Sequence, residues 1–488
     1  MTATTPDAGP SKVSREDETV IALLIVAAFT VILNETVMGV AIPHLMSDLG
    51  ITAVQAQWLT TAFLLTMAVV IPVTGFILQR FSTRAVFIAA AGLFVAGTAL
   101  ASVAPGFVVL LAARVVQASG TAIMLPLLMT TVMTLVPVAE RGRRMGNITV
   151  VIAVAPAIGP AISGLILSQL NWRFMFVFVL PVAITVLVLG LMKMRTVNEP
   201  RHTSVDLLSV PLAALGFGGL VYGLSLFGEG PDALNPAAIA ATLTLGVLSL
   251  AAFVSRQLVL QRSDSALLDL RTLKVRTYAM SVLLFMTSMA ALFGTIILLP
   301  LFTQNVLGMS VFASGLLVLP GGLTMGLCAP LVGRAYDRVG ARPLIVPGTA
   351  LVAASLWLLA ISATPTVAWP VLLAAHVMFS AGLALVFTPL FSASLGSLPK
   401  HLYSHGSATI TTVQQVAGAA GTAAFISAMA IVTLSQVDGG ATEVVAQAAG
   451  IRVAFTIGAV IATAAIGIAA LMPRTAAAHV PAEAEPAH

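Results

Sequence analysis

Three ionisable side chains stand within long apolar stretches of this chain, where charge is costly. Glu35 is the only acidic residue deep in such a stretch, Arg114 is the only basic one, and His376 lies in a third. An ionised group at the middle of a membrane-spanning helix costs about 3 kcal/mol on insertion scales, so such groups usually face an internal cavity and serve ions or substrates. A carboxyl or imidazole group in that setting responds to protons and to nearby cations. These residues therefore indicate proton binding.

The spacing of these residues places two of them at one depth. Glu35 lies seven residues from Ile42 and Arg114 lies seven from Phe107, so both sit about 10 Å below the outer helix ends. We predict that the two interact, either as a coupling pair that exchanges a proton or as a static buried ion pair between helices. His376 lies at a similar depth, and it has either a coupling role or a packing role.

Uncharged polar and adaptable apolar residues of the same stretches are candidates for a substrate cavity. Interhelical hydrogen bonding is the default use of a buried amide, whereas methionine and aromatic side chains accommodate varied ligands. The predicted cavity residues are Asn34, Met38, Phe63, Gln117, Gln304, Asn305, Gln414 and Gln415.

The composition says which elements must position these residues. The chain has 488 residues, of which 59% are hydrophobic and 8% charged, whereas about a quarter of an ordinary soluble domain is charged. A bilayer core of about 30 Å needs about 20 apolar residues per helix. Fourteen such runs are predicted, at 19–42, 56–78, 85–104, 107–135, 145–168, 174–193, 207–227, 236–256, 278–302, 312–333, 343–361, 367–394, 405–433 and 451–472. The predicted fold class is an all-α polytopic membrane protein with 14 transmembrane helices.

The basic residues are sorted to one side of these spans. Of the 23 Lys and Arg, 20 fall in alternate loops and the two tails, and the opposite loops carry mainly acids. Positive loops remain in the cytoplasm, so we predict a multi-pass protein of the cell membrane with both termini cytoplasmic. Because the charge is spread over short loops, the net +5 does not indicate nucleic-acid binding. The acids of the opposite loops are Asp48, Glu229, Asp232, Asp438 and Glu443.

The chain also repeats itself at an offset of about 260 residues, or eight helices. The segment from Gly75 to Arg84 recurs from Gly333 to Arg342, and the stretch ending at Arg114 recurs at the one ending at His376. Two six-helix bundles with two inserted helices fit this arithmetic, which is a recurrent plan for alternating-access carriers. The predicted units are a tail (1–18), a bundle (19–193), inserted helices (207–256), a cytoplasmic linker (257–277), a second bundle (278–472) and a second tail (473–488).

Four motifs in their expected helices carry a family resemblance. The loop motif G-x-x-x-D-R-x-G-x-R/K fits the second copy fully, whereas Gln79 and Ser82 replace two positions of the first. The pattern R-x-x-Q-G-x-G begins at Arg114 with Ala118 in place of its first glycine, and Leu33–Pro43 resembles L-D-x-T-x-x-x-V-A-L-P with its acid displaced to Glu35. The fifth span resembles G-x8-G-x3-G-P-x-x-G-G, with Ala155 and Ser163 in place of two glycines. The loop-motif residues are Gly75, Arg80, Arg84, Gly333, Asp337, Arg338 and Arg342, and those of this span-5 motif are Gly146, Gly159, Pro160 and Gly164.

With these motifs the chain resembles the fourteen-helix drug:proton antiporter branch of the major facilitator superfamily, over residues 19–472. The resemblance implies the major-facilitator fold, a conformational latch at the loop motifs, and the span-5 pattern that accompanies antiport. It implies export of amphipathic or cationic compounds driven by protons, with no other cofactor, and a protein that is monomeric in the bilayer. The resemblance does not say whether an adaptor protein takes part.

Other functions remain open at this point or are excluded. A narrow-range exporter of a diamine or amino acid would share the coupling residues, and a non-transporting sensor or an uptake symporter is a further alternative. A P-loop ATPase is excluded because none of the four lysines follows a glycine. Seven scattered histidines and one cysteine offer no metal cluster, intrachain disulfide or nucleophile–base set, so we expect neither an enzyme nor a metal site.

Overall fold

A computed structural model describes residues 13–198, 200, 206–226, 236–263 and 265–473 of the chain. Most of the predicted N-terminal tail and nearly all of the C-terminal tail lie outside the described residues, as do Arg201, Glu229 and Asp232 of the predicted loops. Within these ranges the protein is helical and contains no strand.

Fifteen α-helices follow one another along the described chain. They are α1 (Arg15–Leu49), α2 (Ala53–Arg80), α3 (Thr83–Ser102), α4 (Phe107–Leu135), α5 (Arg141–Gln169), α6 (Arg173–Lys193), α7 (Ser209–Ala213), α8 (Gly219–Ser225), α9 (Pro236–Leu260), α10 (Arg276–Leu301), α11 (Val311–Val339), α12 (Arg342–Ser362), α13 (Trp369–Gly396), α14 (Tyr403–Asp438) and α15 (Glu443–Ala470).

The described residues contain twelve helices that are long and apolar enough to cross a membrane, compared with the fourteen spans predicted. The two other predicted spans are helical. Span 145–168 falls in α5, which has 29 residues and carries glycines and small residues on its way through the bundle. Span 207–227 consists of α7, a π-helical turn over Ala214–Gly218 and α8. Ser209–Leu224 is an apolar helical stretch shorter than the other twelve.

The long helices form two bundles. Helices α1–α6 pack on one another, and so do α10–α15. The bundles meet where α5 lies against α11 and where α2 lies against α14. The inserted helices α7–α9 lie outside this second contact, against α2 and α14, where the rings of Trp58 and Tyr222 stand 5.6 Å apart.

The two ends of the bundle differ in charge. We call the end that carries Arg80, Arg141 and Arg338 the basic end. There the first turn of α1 forms ion pairs with α5 and with the segment after α6; one is Glu18 with Arg144 of α5 at 2.6 Å. At the opposite, acidic end, Asp48 accepts a hydrogen bond from the Trp172 indole at 2.7 Å. The loop between α1 and α2 and the loop between α5 and α6 therefore lie side by side at the acidic end.

Polar contacts attach the inserted helices to the linker that follows them. Asp206 accepts two hydrogen bonds of 2.6 Å from Arg256, which hold the pKa of that carboxyl at about 2. The fully buried Gln257 donates to Ser209 at 2.7 Å, and its amide oxygen accepts from the backbone N–H of Leu267 at 2.8 Å. The linker is thus held in one place against α9.

The linker in turn reaches the contact between the bundles. Leu268 is buried in a small apolar cluster with Ala213 of α7, Phe253 of α9 and Ala408 of α14. Ala408 and the neighbouring His405 lie against Gly75 of α2. The inserted helices, the linker and the α2–α14 contact consequently form one continuous packed region at the basic end.

Candidate functional site

Arg114 of α4 is fully buried, and it is held by neutral groups from two other helices. Its Nη1 donates to the Gln117 side chain at 2.6 Å and to Asn34 Oδ1 of α1 at 3.4 Å, while its Nε donates to the Leu59 carbonyl of α2 at 3.4 Å. The guanidinium carbon lies 4.0 Å from the centre of the Phe63 ring, a cation–π arrangement. Four of the predicted site residues are therefore brought together here.

The amide that binds Arg114 is itself fixed. Gln117 donates from Nε2 to the hydroxyl of Thr98 on α3 at 2.8 Å, and that hydroxyl donates to the Phe94 carbonyl at 2.7 Å. Gln117 therefore presents its oxygen to the guanidinium and cannot turn without losing two bonds. This chain explains why an R-x-x-Q pattern suits the position, because residues three apart share one face of a helix.

Glu35 lies beside this group but is not bonded to it. The residue after Asn34 on α1, it is half-buried, whereas Asn34 is buried. Among the described residues no nitrogen lies within 4.0 Å of the Glu35 carboxylate as a salt-bridge partner, and no hydrogen bond to that carboxylate is formed. Arg114 and Glu35 still act on each other electrostatically. The predicted interaction is thus an attraction at longer range, and the arrangement differs from a static ion pair.

This separation has a chemical consequence. The neutral oxygens of Asn34, Gln117 and Leu59 hold Arg114 in place, so the carboxyl of Glu35 can gain or lose a proton without releasing the guanidinium. The fixed positive charge nearby favours the ionised carboxylate, while the apolar surroundings favour the protonated form. A carboxyl balanced in this way can bind either a proton or a cation.

The remaining cavity candidates are distributed over the structure. Met38 is buried in an apolar cluster with Leu59 and Trp172 inside the first bundle. Gln415 of α14 lies across the bundle interface, with its Nε2 3.7 Å from the sulfur of Met67, which clusters with Phe63. The oxygen of Gln414 is buried without a partner in the described region.

Gln304 and Asn305 lie away from Arg114. They belong to a π-helical turn, Phe302–Val306, that follows α10 at the acidic end. Gln304 donates weakly to Ser314 at 3.4 Å, and Asn305 is exposed. Their location suits the entrance of a cavity rather than its floor.

A second site, at the basic end, joins the two bundles through a carboxylate. Asp337 of α11 accepts hydrogen bonds from the backbone N–H of Gly142 at 2.7 Å and of Arg143 at 2.9 Å, both in the first turn of α5. The first N–H groups of a helix have no partner within it and carry the positive end of its dipole, so a carboxylate is stabilised there. Asp337 therefore caps a helix of the other bundle.

The backbones are in contact beside this cap. A Cβ added to Gly333 would overlap the Gly142 carbonyl, and one added to Gly142 would overlap Asp337 and the Gly333 carbonyl. Only glycine at both positions permits this approach of α5 and α11. The two glycines and Asp337 form what we call the α5–α11 gate.

The first copy of the loop motif makes a related contact. Gln79, which replaces the acid, donates from Nε2 to the His401 carbonyl at 2.8 Å, in the turn before α14. Gly75 lies against His405, whose Nδ1 would be 2.9 Å from an added Cβ. Each loop motif therefore touches the start of a helix in the opposite bundle, through a carboxylate in one copy and an amide in the other. We call this second contact the α2–α14 gate.

Comparison with known proteins identifies the family of a chain with this buried Arg114 site and these two gates. The model of the Major Facilitator Superfamily matches residues 24–422, which is most of the chain. The chain belongs to the major facilitator superfamily. The family recognised from its motifs is thereby confirmed, and the protein is a membrane transport protein and not an enzyme.

Several relatives of this superfamily protein resemble it over most of their length. It is 39% identical over 446 residues to the uncharacterized MFS-type transporter YcnB of Bacillus subtilis, covering 91% of this chain and 92% of the relative. It is 36% identical over 407 residues to the lincomycin resistance protein LmrB of the same organism, covering 83% and 84%. Identity to the multidrug export protein EmrB of Haemophilus influenzae is 26% over 404 residues, covering 82% and 78%.

Solved structures agree on the fold. The proton:xylose symporter XylE superposes with a TM-score of 0.62 at 15% identity, covering 95% of this chain and 97% of the symporter. The human organic anion transporter MFSD10 gives 0.64 at 14% identity, covering 93% and 99%. At such identities the likeness concerns the fold alone.

The other motif residues of this transporter have differing environments. Gly146 and Gly159 of α5 lie in close contacts, with Ala329 of α11 and with Thr36 of α1 respectively, whereas a Cβ on Gly164 would meet no atom within 4 Å. The side chain of Pro160 lies outside the described residues.

The four arginines of the loop motif also differ from one another in exposure and in hydrogen bonding. Arg84 donates to the Leu191 carbonyl at 2.8 Å, and Arg80 and Arg342 are half-buried. Arg338 is exposed. None of these four arginines forms an ion pair with Asp337 in the part of the chain that is described.

His376, the repeat counterpart of Arg114, is buried on α13. Its ring stacks on Phe379 at 6.4 Å between centroids and fills the space above Gly321 of α11, and its Nδ1 has no partner among the described groups. It has neither an amide nor a carboxylate beside it such as Arg114 has. The surroundings are those of a packing residue.

Replacing Arg114 by lysine is expected to lower both transport and stability. A lysine keeps the charge but cannot donate to Gln117, Asn34 and Leu59 at once, because its three donors share one nitrogen. Leaving buried oxygens without donors costs about 1–3 kcal/mol. We expect a melting temperature several degrees lower in detergent and at least tenfold slower transport in proteoliposomes. Arg452→Lys, at a helix near the acidic end, is the control; equal results for both variants would contradict the role given to Arg114.

Proposed function

We propose that this protein is a fourteen-helix proton-coupled antiporter that exports amphipathic or cationic organic compounds across the cell membrane by alternating access. In this proposal α5 and the broken α7–α8 segment complete the fourteen spans. The basic end faces the cytoplasm, in keeping with the positive-inside rule, and the protein acts as a monomer. Protons are the coupling ion, and no other cofactor takes part.

The observation that carries the proposal is the half-buried Glu35 carboxyl beside an Arg114 that is already satisfied by neutral acceptors. A buried ion pair would keep the carboxylate permanently ionised, whereas this arrangement leaves it free to bind a proton. Binding of a cation and of a proton to the same carboxylate is mutually exclusive, and such competition is the simplest basis for antiport.

The contacts between the bundles indicate which state of the transport cycle this conformation represents. Both gates are closed at the basic end. Helix α1 continues to Leu49, so Glu35 lies fourteen residues, or about 21 Å, from its acidic end and not the predicted 10 Å. Its side chain keeps part of its surface exposed. This conformation corresponds to an outward-open state if the basic end is cytoplasmic. A proton would then reach Glu35 from outside and displace a cationic substrate outward, and opening of both gates would return the proton to the cytoplasm.

The names of relatives support export of foreign compounds. One relative is named for lincomycin resistance and another for multidrug export. The apolar cluster of Phe63, Met67 and Ile71 beside Arg114 suits a compound with aromatic or aliphatic surface. A carboxylate beside such a wall favours amphipathic cations over neutral sugars or anions.

Substrate-induced proton release from the purified protein tests this function. A weakly buffered detergent solution with a pH dye would receive tetraphenylphosphonium, lincomycin, putrescine or an amino acid. We expect proton release with the lipophilic cation, and uphill transport in proteoliposomes that stops when an ionophore collapses the proton gradient. Release with putrescine or one amino acid alone would indicate a narrow-range metabolite exporter. Uphill transport unaffected by the ionophore would overturn proton coupling.

A further inference from the structure

A groove on the outer surface of the first bundle lies apart from both the central site and the gates. It runs between α1 and α6, near the basic end, and has a volume of about 500 Å³. Its walls are apolar, with Ala22 and Val26 on α1 and Val182 and Leu189 on α6, and Lys193 stands at one end. Val26 and Val182 are 44% and 45% exposed, so the groove opens sideways towards the lipid and not into the protein.

The length of the groove matches one leaflet of a bilayer. Its lining on α6 extends from Pro181 to Lys193, twelve residues further on, which is about 18 Å along the helix. Half of a hydrocarbon core is about 15 Å thick. A single acyl chain could therefore lie along the groove with its headgroup at the level of Lys193.

The charges around the mouth of the groove are sorted in an unusual way. The first turn of α1 carries three acids, and all three form ion pairs with two arginines from elsewhere. Arg195 pairs with Glu16 at 2.8 Å and with Asp17, and Arg144 pairs with Glu18. Three carboxylates and two guanidinium groups leave one negative charge, and the two further cations at this end of the groove outweigh it.

Two cations remain without an acidic partner. In the described chain neither the Arg15 guanidinium nor the Lys193 ammonium forms an ion pair or a side-chain hydrogen bond. Arg15 lies four residues before the groove residue Thr19, on the same face of α1. Lys193 ends α6, and since helical side chains lean towards the N-terminus of their helix, its side chain leans back over the groove. Lys193 therefore lines one end of the apolar groove, and Arg15 lies one helical turn beyond Thr19 at that same end.

We propose that this groove binds one anionic glycerophospholipid from the leaflet at the basic end, with an acyl chain between α1 and α6 and the phosphate held by Arg15 and Lys193. Basic pockets between transmembrane helices on the cytoplasmic side are the recognised setting for acidic headgroups. The same two charges would repel a cationic substrate, so the groove is not an entry path for such compounds. The site joins the start of α1, the helix that carries Glu35, to α6, and it does not depend on the proposed antiport.

Lipid binding to the purified full-length protein tests this site. Native mass spectrometry would follow the retention of added phosphatidylglycerol and phosphatidylcholine of the same acyl composition. We expect one phosphatidylglycerol to bind selectively, and about thirtyfold weaker binding by the double variant Arg15→Gln/Lys193→Gln. The control Lys274→Gln/Lys400→Gln removes two exposed positive charges from the same end and should bind as the original protein does. Equal binding of both lipids, or equal loss in both double variants, would overturn the proposal.

A second pair of variants tests the apolar part of the site. Ala22→Trp would fill the groove, whereas Val188→Trp places the same ring on an exposed face of α6 that does not line it. Loss of the bound lipid in the first variant alone supports the groove as its location. Retained binding in Arg15→Lys/Lys193→Arg, which exchanges the side chains but keeps both positive charges, would support recognition by charge. Displacement of the lipid by tetraphenylphosphonium would mark the groove as a substrate path and overturn the assignment.

Discussion

Glu35→Gln is expected to abolish uphill transport, by at least a hundredfold, while leaving a folded protein. Glutamine has the shape of a protonated glutamate, so the variant mimics the proton-loaded site and cannot exchange that proton. Its fold should tolerate the change because Glu35 has no hydrogen bond or salt bridge to lose among the described residues, and Arg114 keeps Asn34 and Gln117 as partners. The measurement is accumulation of a lipophilic cation in proteoliposomes with an imposed pH gradient.

Two companion variants separate the charge of Glu35 from its position. Glu35→Asp retains a titratable group one methylene shorter, so we expect reduced transport that still follows the proton gradient. Glu443→Gln removes an exposed acid at the first turn of α15 and should transport normally. A Glu35→Gln protein that still pumps against a gradient would show that the coupling proton is carried elsewhere, and His376 would then be the first residue to replace.

The sequence alone was enough to predict residues whose type is unusual for their local surroundings. Glu35 and Arg114 stand out because deep charges are rare in apolar helices, and this rarity does not depend on the fold. The span boundaries follow from the same contrast, and twelve of the predicted spans coincide with helices of sufficient length and hydrophobicity. The π-helical turn at Ala214–Gly218 has no comparable signal, because it depends on how α7 and α8 pack against α2 and α9.

The partners of these residues were not predictable, because they come from distant parts of the chain. Asp337 bonds to backbone N–H groups that lie 194 and 195 residues away, and a backbone donor leaves no trace in the residue type. The Gln117 amide accepts from Arg114 because Thr98 of another helix turns it. In the sequence, Gln79 is only a replacement for the acid of the motif. The structure shows that its amide donates a hydrogen bond to the His401 carbonyl.

One signal for the α5–α11 gate was present in the sequence. Gly142 stands among three arginines at the start of α5, where a helix interior would favour any other small residue. A glycine in that position suggests close approach by another backbone. The partner, Gly333, belongs to the loop motif, so the pair could be recognised once the two bundles were known to face each other.

Gly142→Val, a substitution in the α5–α11 gate, is expected to hinder closure of the basic end. In Gly142→Val the added side chain would overlap Asp337, Tyr336 and the Gly333 carbonyl, so the two bundles cannot close at the basic end as they do here. Overpacking of this kind costs about 1–3 kcal/mol, which shifts a two-state equilibrium by about 5- to 150-fold. Valine is also a better helix former than glycine. The expected defect is therefore in closure and not in the stability of α5.

Spin labels on either side of the gate would measure this shift. Cysteines at Ala139, just before α5, and at Arg334 of α11, in a Cys328→Ala background, report the separation of the bundles. We expect the short distance to dominate in the parent protein and a longer one in Gly142→Val, with transport at least tenfold slower. Asp337→Asn, which weakens the cap without adding bulk, should give a smaller shift in the same direction.

Gly315→Val provides the matched control, since it makes the same change on α11, the other helix of the α5–α11 gate, where an added Cβ meets no atom within 4 Å. It should leave both the distance distribution and transport unchanged. If Gly142→Val and Gly315→Val behave alike, the contact between Gly142 and Gly333 does not limit closure, and α2 and α14 alone must close the basic end. If only Gly142→Val opens that end, the backbone contact and the Asp337 cap act together, and a neutral Gln79 suffices in the other copy because one charged cap already sets the closed state.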